Sequence, residues 1–126
     1  MTQPRNIAPQ PDRGIVLTRA ALRAAERLGI SGRQLAEIVG VSEATISRWR
    51  RNEAALEVDS KPFQIAALFV RAFRSLDAIT GGDETVARIW LKAPNTALAA
   101  RPIERMVTVQ GLVDVTTYLD GRRAPI

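Results

Sequence analysis

Residues 31–51, SGRQLAEIVGVSEATISRWRR, decide the fold of the first half of this chain. A serine opens a short apolar pattern that ends at a glycine, and a second serine opens another. Serine is a favoured helix N-cap, and glycine readily adopts the left-handed backbone that ends a helix. The stretch therefore predicts two short helices, capped by Ser31 and Ser42 and joined by a turn at Gly40 and Val41.

The second of these helices has an apolar side and a basic side. At about 100° per residue, Ile46 and Trp49 point inward, toward the first helix and its inner residues Leu35, Ala36 and Val39. The outward side carries small residues, hydroxyls and arginines: Ala44, Ser47, Arg48 and Arg51, flanked by Glu43, Thr45 and Arg50. Such a helix is suited to enter the major groove of DNA. We therefore expect a helix-turn-helix that binds DNA, with an ordinary solvated helix face as the alternative.

The outward residues have different expected roles. Arg48 or Arg51 could fork onto a guanine, which contributes about 1–3 kcal/mol of base discrimination. Ser42, Thr45 and Arg50 are better placed for phosphates, which set the register on DNA without reading sequence. Glu43 either accepts a cytosine amino group or suits the positive end of its own helix.

The bulk composition describes a small protein with no membrane signal. The chain has 126 residues, 46% of them apolar, which is enough for one modest core or two small ones in tandem. No run approaches the roughly 20 apolar residues of a membrane span, and the first residues lack the apolar centre of a secretory signal. We expect a cytoplasmic protein that does not contact a membrane.

Several kinds of chemistry are excluded by missing residue types. The chain has no cysteine and no histidine, which rules out disulfides, thiolate or imidazole metal sites, and Ser-His or Cys-His nucleophiles. The 13 acidic residues include no pair in an apolar setting that would separate their pKa values. We predict no metal, no cofactor and no catalysis, with a small carboxylate enzyme as the remaining enzymatic alternative.

The net charge of +5 suits an anionic partner but does not single out the DNA-binding half. Residues 1–59 carry 9 basic and 7 acidic side chains, and residues 60–126 carry 9 and 6. The local cluster of Arg48, Arg50 and Arg51 is more informative, because screening limits electrostatic reach to about 10 Å at ordinary salt.

The chain is predicted to have three parts. Residues 1–13 are rich in proline and form a disordered arm, or an arm that carries Arg5 and Arg13 to a minor groove. Residues 14–59 form the helix-turn-helix domain. Residues 60–126 form a C-terminal helical domain for partner binding or oligomerisation.

A first helix is expected over residues 17–28, before the helix-turn-helix. Thr18 or a residue just before it is the predicted N-cap, and Gly29 ends the helix. Three arginines recur on it at i, i+4 and i+8: Arg19, Arg23 and Arg27. They either touch phosphates or form a solvated face.

The second half opens with the most apolar helix of the chain, predicted over residues 63–79 after Ser60 and Pro62. Its polar stripe is narrow: Gln64, Arg71, Arg74 and Ser75. So wide an apolar arc predicts a central helix. It would pack on the helix-turn-helix on one side and on the C-terminal helices, or a second subunit, on the other. It is also our candidate for assembly.

Three shorter helices are expected to follow, over residues 84–92, 102–106 and 112–119, with a tail over residues 121–126. Val86, Ile89 and Trp90 are the predicted buried side of the first, and Trp49, Trp90 and Met106 are predicted core residues. The predicted architecture is all-α: an N-terminal helix-turn-helix domain packed through a central apolar helix onto a small C-terminal helical domain.

Both halves resemble a known family. The first half resembles the Xre/Cro-type helix-turn-helix. The second half is similar to the Xre/MbcA/ParS-type antitoxin C-terminal domain, and the residues that carry this likeness are Leu76-Asp77-Ala78, Ala87-Arg88-Ile89-Trp90-Leu91, Pro94-Asn95, Leu98, Arg101-Pro102-Ile103, Met106, Gly111, Val115 and Leu119. The family pattern has glycines in the turn before the proline, where this chain has Ala99 and Ala100. A left-handed backbone there would cost alanine about 1 kcal/mol.

The resemblance implies an antitoxin of a type II toxin–antitoxin system. Its partners would be a RES-domain toxin that consumes NAD, covered at its active site, and double-stranded operator DNA, bound as a homodimer or a larger toxin–antitoxin assembly. Under this resemblance Tyr118, Arg122 and Arg123 are candidate toxin-binding residues. The two arginines either insert at an anionic-substrate pocket of the toxin or form a solvated end of the chain. The alternative is a stand-alone helix-turn-helix regulator whose C-terminal domain dimerises or senses a ligand.

Overall fold

The computed structural model describes residues 12–123. Within them the chain forms seven helices and no strand. The helices are α1 (Arg13–Leu28), α2 (Gly32–Val39), α3 (Glu43–Arg50), α4 (Lys61–Ile79), α5 (Glu84–Lys92), α6 (Pro102–Arg105) and α7 (Val109–Arg123). The predicted all-α architecture is confirmed. None of these helices is both long enough and apolar enough to cross a membrane.

The caps predicted for the helix-turn-helix are confirmed. Ser31 and Ser42 accept hydrogen bonds from the third residue of α2 and α3 respectively, and Gln34 completes a capping box with Ser31. Gly40 ends α2 with a φ of 83°, in the left-handed region. Short-range hydrogen bonds of this kind make both helix ends readable from sequence.

The first helix starts four residues earlier than predicted. Asp12, rather than Thr18, is its N-cap and accepts from the amides of Gly14 and Ile15. Thr18 lies buried inside α1, where its hydroxyl donates to the Gly14 carbonyl and accepts from the Leu56 amide. The Thr18 cap prediction is wrong, because the hydroxyl is used to hold the segment that follows α3.

Residues 1–11 of the predicted arm, including Arg5, lie outside the described residues. Arg13 is the first residue of α1, and its guanidinium lies 5.4 Å from the ring centre of Phe63. Arg13 therefore does not lie on an arm.

Helix α4 is central, as predicted. Ser60 caps it, Pro62 stands in its first turn, and it packs against α1, α2 and α7. Four of its large apolar side chains are buried within the chain: Phe63, Phe69, Val70 and Leu76. The C-terminal helix α7 packs along α4. Ile65, Leu68 and Phe73 are only half-buried and Ile79 is 42% exposed, so a role of α4 in assembly stays a prediction.

One residue of the predicted polar stripe on α4 is not solvated. Ser75 is fully buried, and its hydroxyl donates to Asp120 of α7 at 2.7 Å. Arg71 pairs with the same carboxylate. This polar contact fixes the end of α7 against the central helix.

Helix α5 is attached to the end of α1. Arg88 donates to the carbonyls of Arg27 and Glu26 at 2.9 and 3.0 Å, which belong to the last turn of α1, where carbonyls have no helical i+4 donor. Arg27 pairs with Asp77 of α4 and Glu84 of α5. Arg27 is thus a structural link between helices and not part of a free basic row, whereas Arg19 and Arg23 are exposed.

Candidate nucleic-acid interface and partner surface

Helix α3 presents its predicted outer side to solvent. Ile46 and Trp49 are buried against the rest of the domain, which leaves the opposite side uncovered. Most of the candidate DNA contacts on α3 and its C-cap are exposed: Glu43, Ala44, Arg48, Arg50 and Arg51. The other two, Thr45 and Ser47, are half-buried. Ser42, the cap, is also exposed.

A row of hydrogen bonds runs along one flank of α3. The hydroxyls of Ser42 and Thr45 are 2.8 Å apart, and Arg48 donates to the Thr45 hydroxyl at 3.1 Å. Since these residues are three apart, they lie above one another on the helix. The Thr45 hydroxyl therefore draws the Arg48 guanidinium toward the N-terminal end of α3, the end that contacts bases in helix-turn-helix proteins.

The three arginines of the cluster are held differently. Arg51 follows α3 as its C-cap, and its Nε is 3.2 Å from the Glu53 carboxylate. Arg50 lies beside Gly32 at the start of α2. Among residues 12–123 no carboxylate pairs with Arg48. The same holds for Arg50, so Arg48 and Arg50 can meet an anion without first leaving an acid, whereas Arg51 must leave Glu53.

Glu43 stands in the first turn of α3. A carboxylate there lies at the positive end of the helix dipole, which contributes about 0.3–1 kcal/mol. Its place agrees with the helix-dipole interpretation of this residue.

The end of α7 is a helix where a tail was expected. Gly121, Arg122 and Arg123 continue α7, so the predicted end at Leu119 is wrong. Gly111 also lies within α7, whereas the helix was predicted to start at residue 112. The reason for the longer helix is its contact with α4: Asp120 is held by Ser75 and Arg71.

The three candidate toxin contacts lie within this last helix. Tyr118 is half-buried and stacks on Trp90 of α5, with ring centres 6.1 Å apart. The Arg122 guanidinium lies 5.0 Å from the centre of the Tyr118 ring. Arg123 is exposed, with one nitrogen 3.5 Å from the Ser75 hydroxyl. The structure therefore brings Tyr118 and Arg122 together and directs Arg123 toward α4.

The predicted buried side of α5 is wrong at two of its three positions. Val86 and Ile89 are 48% and 64% exposed, and Trp90 is half-buried. Ala87 and Leu91 are the buried pair. Both sets have helical spacing, so periodicity alone could not choose between them. Sequence reasoning therefore missed an exposed apolar side of α5.

The turn between α5 and α6 contains the left-handed backbone conformation that is unfavourable for alanine. Ala99 has a φ of 57°, in the left-handed region. Asn95 and Ala100 form a bridge around it, and the Asn95 side chain accepts from the Leu98 amide. This chain therefore forms the turn with an alanine in the left-handed region.

Two family models match the chain. The model of the antitoxin Xre-like helix-turn-helix domain matches residues 8–76, which is more than half of the chain. The model of the antitoxin Xre/MbcA/ParS C-terminal toxin-binding domain matches residues 75–124. No curated protein matches the chain. The two matches meet near the end of α4; the boundary predicted at residues 59 and 60 stays a prediction.

Proposed function

Since this chain belongs to the antitoxins that join an Xre-like helix-turn-helix domain to an Xre/MbcA/ParS C-terminal toxin-binding domain, we propose that it neutralises a RES-domain toxin and represses its own operon. The RES identity of the toxin rests on the family resemblance. The match over residues 75–124 favours this function over that of a stand-alone regulator. The chain acts by binding, without catalysis, in the cytoplasm where operator and toxin meet.

The DNA-binding part of the proposal rests on one observation, the uncovered basic side of α3. Ile46 and Trp49 hold the helix from beneath, and Arg48 is oriented by Thr45 with no acid beside it. In the bound state Arg48 reads a guanine, while Ser42, Thr45 and Arg50 contact phosphates. Arg51 joins the interface once it leaves Glu53.

Repression requires two copies of α3. Successive major grooves on one side of DNA are about 34 Å apart, so a dimer or a toxin-bridged assembly must place two recognition helices at that spacing. Helix α4 remains our candidate for this assembly, because Ile79 on it is 42% exposed and Phe73 is half-buried.

Neutralisation is proposed to be steric. The C-terminal half covers the entrance of the toxin's active site, so that NAD cannot enter. Tyr118 and Arg122 form one contact of this cover, and the guanidinium groups of Arg122 and Arg123 pair with carboxylates or occupy phosphate-binding space.

Co-expression tests the toxin part directly. The chain is produced together with the protein encoded by the adjacent reading frame, with growth and co-purification as readouts. Rescue of growth and a stable complex are expected. Continued toxicity, with both proteins present and no complex, would refute the proposed toxin.

Operator binding tests the DNA part. The double variant Arg48→Ala with Arg51→Ala should weaken binding to the promoter fragment and flatten the dependence of affinity on salt, because phosphate and base contacts are lost. Arg101→Ala is the matched control, because it removes a similarly exposed arginine from the C-terminal half. Equal losses in both proteins would show a general charge effect and refute a specific interface.

A further inference from the structure

Helix α5 carries an apolar side that nothing within residues 12–123 covers. Val86 is 48% exposed and Ile89 is 64% exposed, and they lie one turn apart. Trp90 lies one turn from Val86, at i+4, and directly follows Ile89 in the chain. Stacking of Trp90 on Tyr118 extends the same surface onto α7. We call Val86, Ile89, Trp90 and Tyr118 the α5–α7 stripe.

The exposure of this stripe is imposed by contacts on both sides of α5. On one side Arg88 is bound to two carbonyls of α1. On the other Trp90 stacks on Tyr118. Ala87 and Leu91 fill the core between them. Turning Val86 and Ile89 inward would break all of these contacts, so they stay in solvent in the free chain.

Charges of both signs border the stripe: exposed Asp83 caps α5 at the Val86 end and accepts from the Val86 amide, and basic groups lie at the other end. Arg122 lies over the outer ring of the stripe, Tyr118. Lys92, one turn from Ile89, is also exposed. A complementary partner surface therefore has an apolar centre, with acidic groups where it meets Arg122 and Lys92. Exposed apolar groups bounded by charge are typical of protein–protein contacts.

We propose that the α5–α7 stripe is the docking surface for the toxin, with Ile89 at its centre. The inference rests on the proposed function and adds to it the helix that anchors the complex. The whole stripe falls within the residues that match the toxin-binding domain model. Tyr118 and Arg122, already candidate toxin contacts, form its edge, so the end of α7 and the exposed side of α5 act as one surface.

A pair of matched variants tests the assignment. Ile89→Glu places a charge in the centre of the stripe. Val109→Glu places the same charge at a valine that is 59% exposed near the start of α7, on the side of that helix opposite Tyr118 by helical angle. Both sites are exposed, so both variants should fold, which their unfolding midpoints and operator binding check. Calorimetry with the purified RES-domain partner measures affinity.

The expected result is a loss of toxin affinity of about tenfold or more for Ile89→Glu and little change for Val109→Glu. Ile89→Ala should give a smaller loss in the same direction. Unchanged affinity in Ile89→Glu, or equal losses in both glutamate variants, would overturn the docking surface. A smaller oligomer in Ile89→Glu with unchanged toxin affinity would assign the stripe to a second copy and also overturn it. Failure of the wild-type chain to bind the toxin would instead refute the proposed function.

Discussion

Gly111 lies where the start of α7 comes close to the backbone of α6. It is buried in the first turn of α7, and a Cβ built on it would overlap the carbonyl oxygen of Arg105. Any other residue must therefore push the two helices apart. Gly121 lies in the same helix, and a Cβ there would meet nothing within 4 Å. An added methyl group should therefore clash at Gly111 and be accommodated at Gly121.

Gly111→Ala should destabilise the protein by about 1–3 kcal/mol, because the added methyl overpacks a backbone contact. Gly121→Ala should stabilise it by about 0.5–1 kcal/mol, because alanine favours a helix interior. Urea unfolding of both variants measures the difference. Similar changes in the two midpoints would contradict the close approach at Gly111.

The buried hydroxyl of Thr18 allows a second prediction, about the free energy of unfolding. This hydroxyl is the partner of the Leu56 amide, 2.8 Å away. Thr18→Val keeps the shape but leaves that amide unpaired, and the free energy of unfolding should fall by about 1–3 kcal/mol. Thr117→Val, at an exposed site, should change it by less than about 0.5 kcal/mol. Thermal or urea unfolding measures both, and an unaltered midpoint for Thr18→Val would show that the hydroxyl is dispensable.

Helix α5 is attached to the C-terminal end of α1 by hydrogen bonds from Arg88. Arg88 reaches the two carbonyls at the end of α1, a position that favours a cation because the helix dipole is negative there. The contact joins the half that matches the toxin-binding domain to the first helix of the DNA-binding half. It also sets which side of α5 faces solvent.

Replacing Arg88 should loosen this attachment. Arg88→Ala is expected to lower the free energy of unfolding by about 1 kcal/mol, less than a buried charged hydrogen bond contributes, since the side chain is partly exposed. Lys92→Ala removes an exposed cation from the same helix and should have little effect. If the two variants unfold at the same urea concentration, the attachment of α5 to α1 adds nothing to stability.

The elements also show what sequence can predict. Ser31, Gly40 and Ser42 act on neighbours within a few residues, so the helix-turn-helix and its ends could be predicted. The exposed side of α5 could not, because the choice between Ile89 and Leu91 as the inner residue depends on contacts with α1 and α7. Those partners lie far away in the chain.

Part of the candidate site could likewise be predicted from the sequence, and part could not. The outer side of α3 could be predicted from local periodicity. The pairing of Ser75 with Asp120, which makes the end of α7 helical, could not, since it joins residues 45 positions apart. The stripe beside Tyr118 was missed for the same physical reason: it exists only where two helices distant in sequence meet.

In the whole molecule, the surface proposed to bind DNA and the surface proposed to bind the toxin share no residue. The basic side of α3 belongs to the first half, and the α5–α7 stripe belongs to the second, with the central helix α4 between the two halves in the chain. Each proposed activity therefore has its own set of side chains. A change on one surface should leave binding at the other intact.

The most direct test of this account measures operator and toxin affinity on the same three proteins: the wild type, the double variant Arg48→Ala with Arg51→Ala, and Ile89→Glu. The account predicts that the arginine variant loses operator affinity and keeps toxin affinity, and that Ile89→Glu does the reverse. Operator binding that is unchanged in affinity and salt dependence without the two arginines, or loss of both activities in either folded variant, would contradict it.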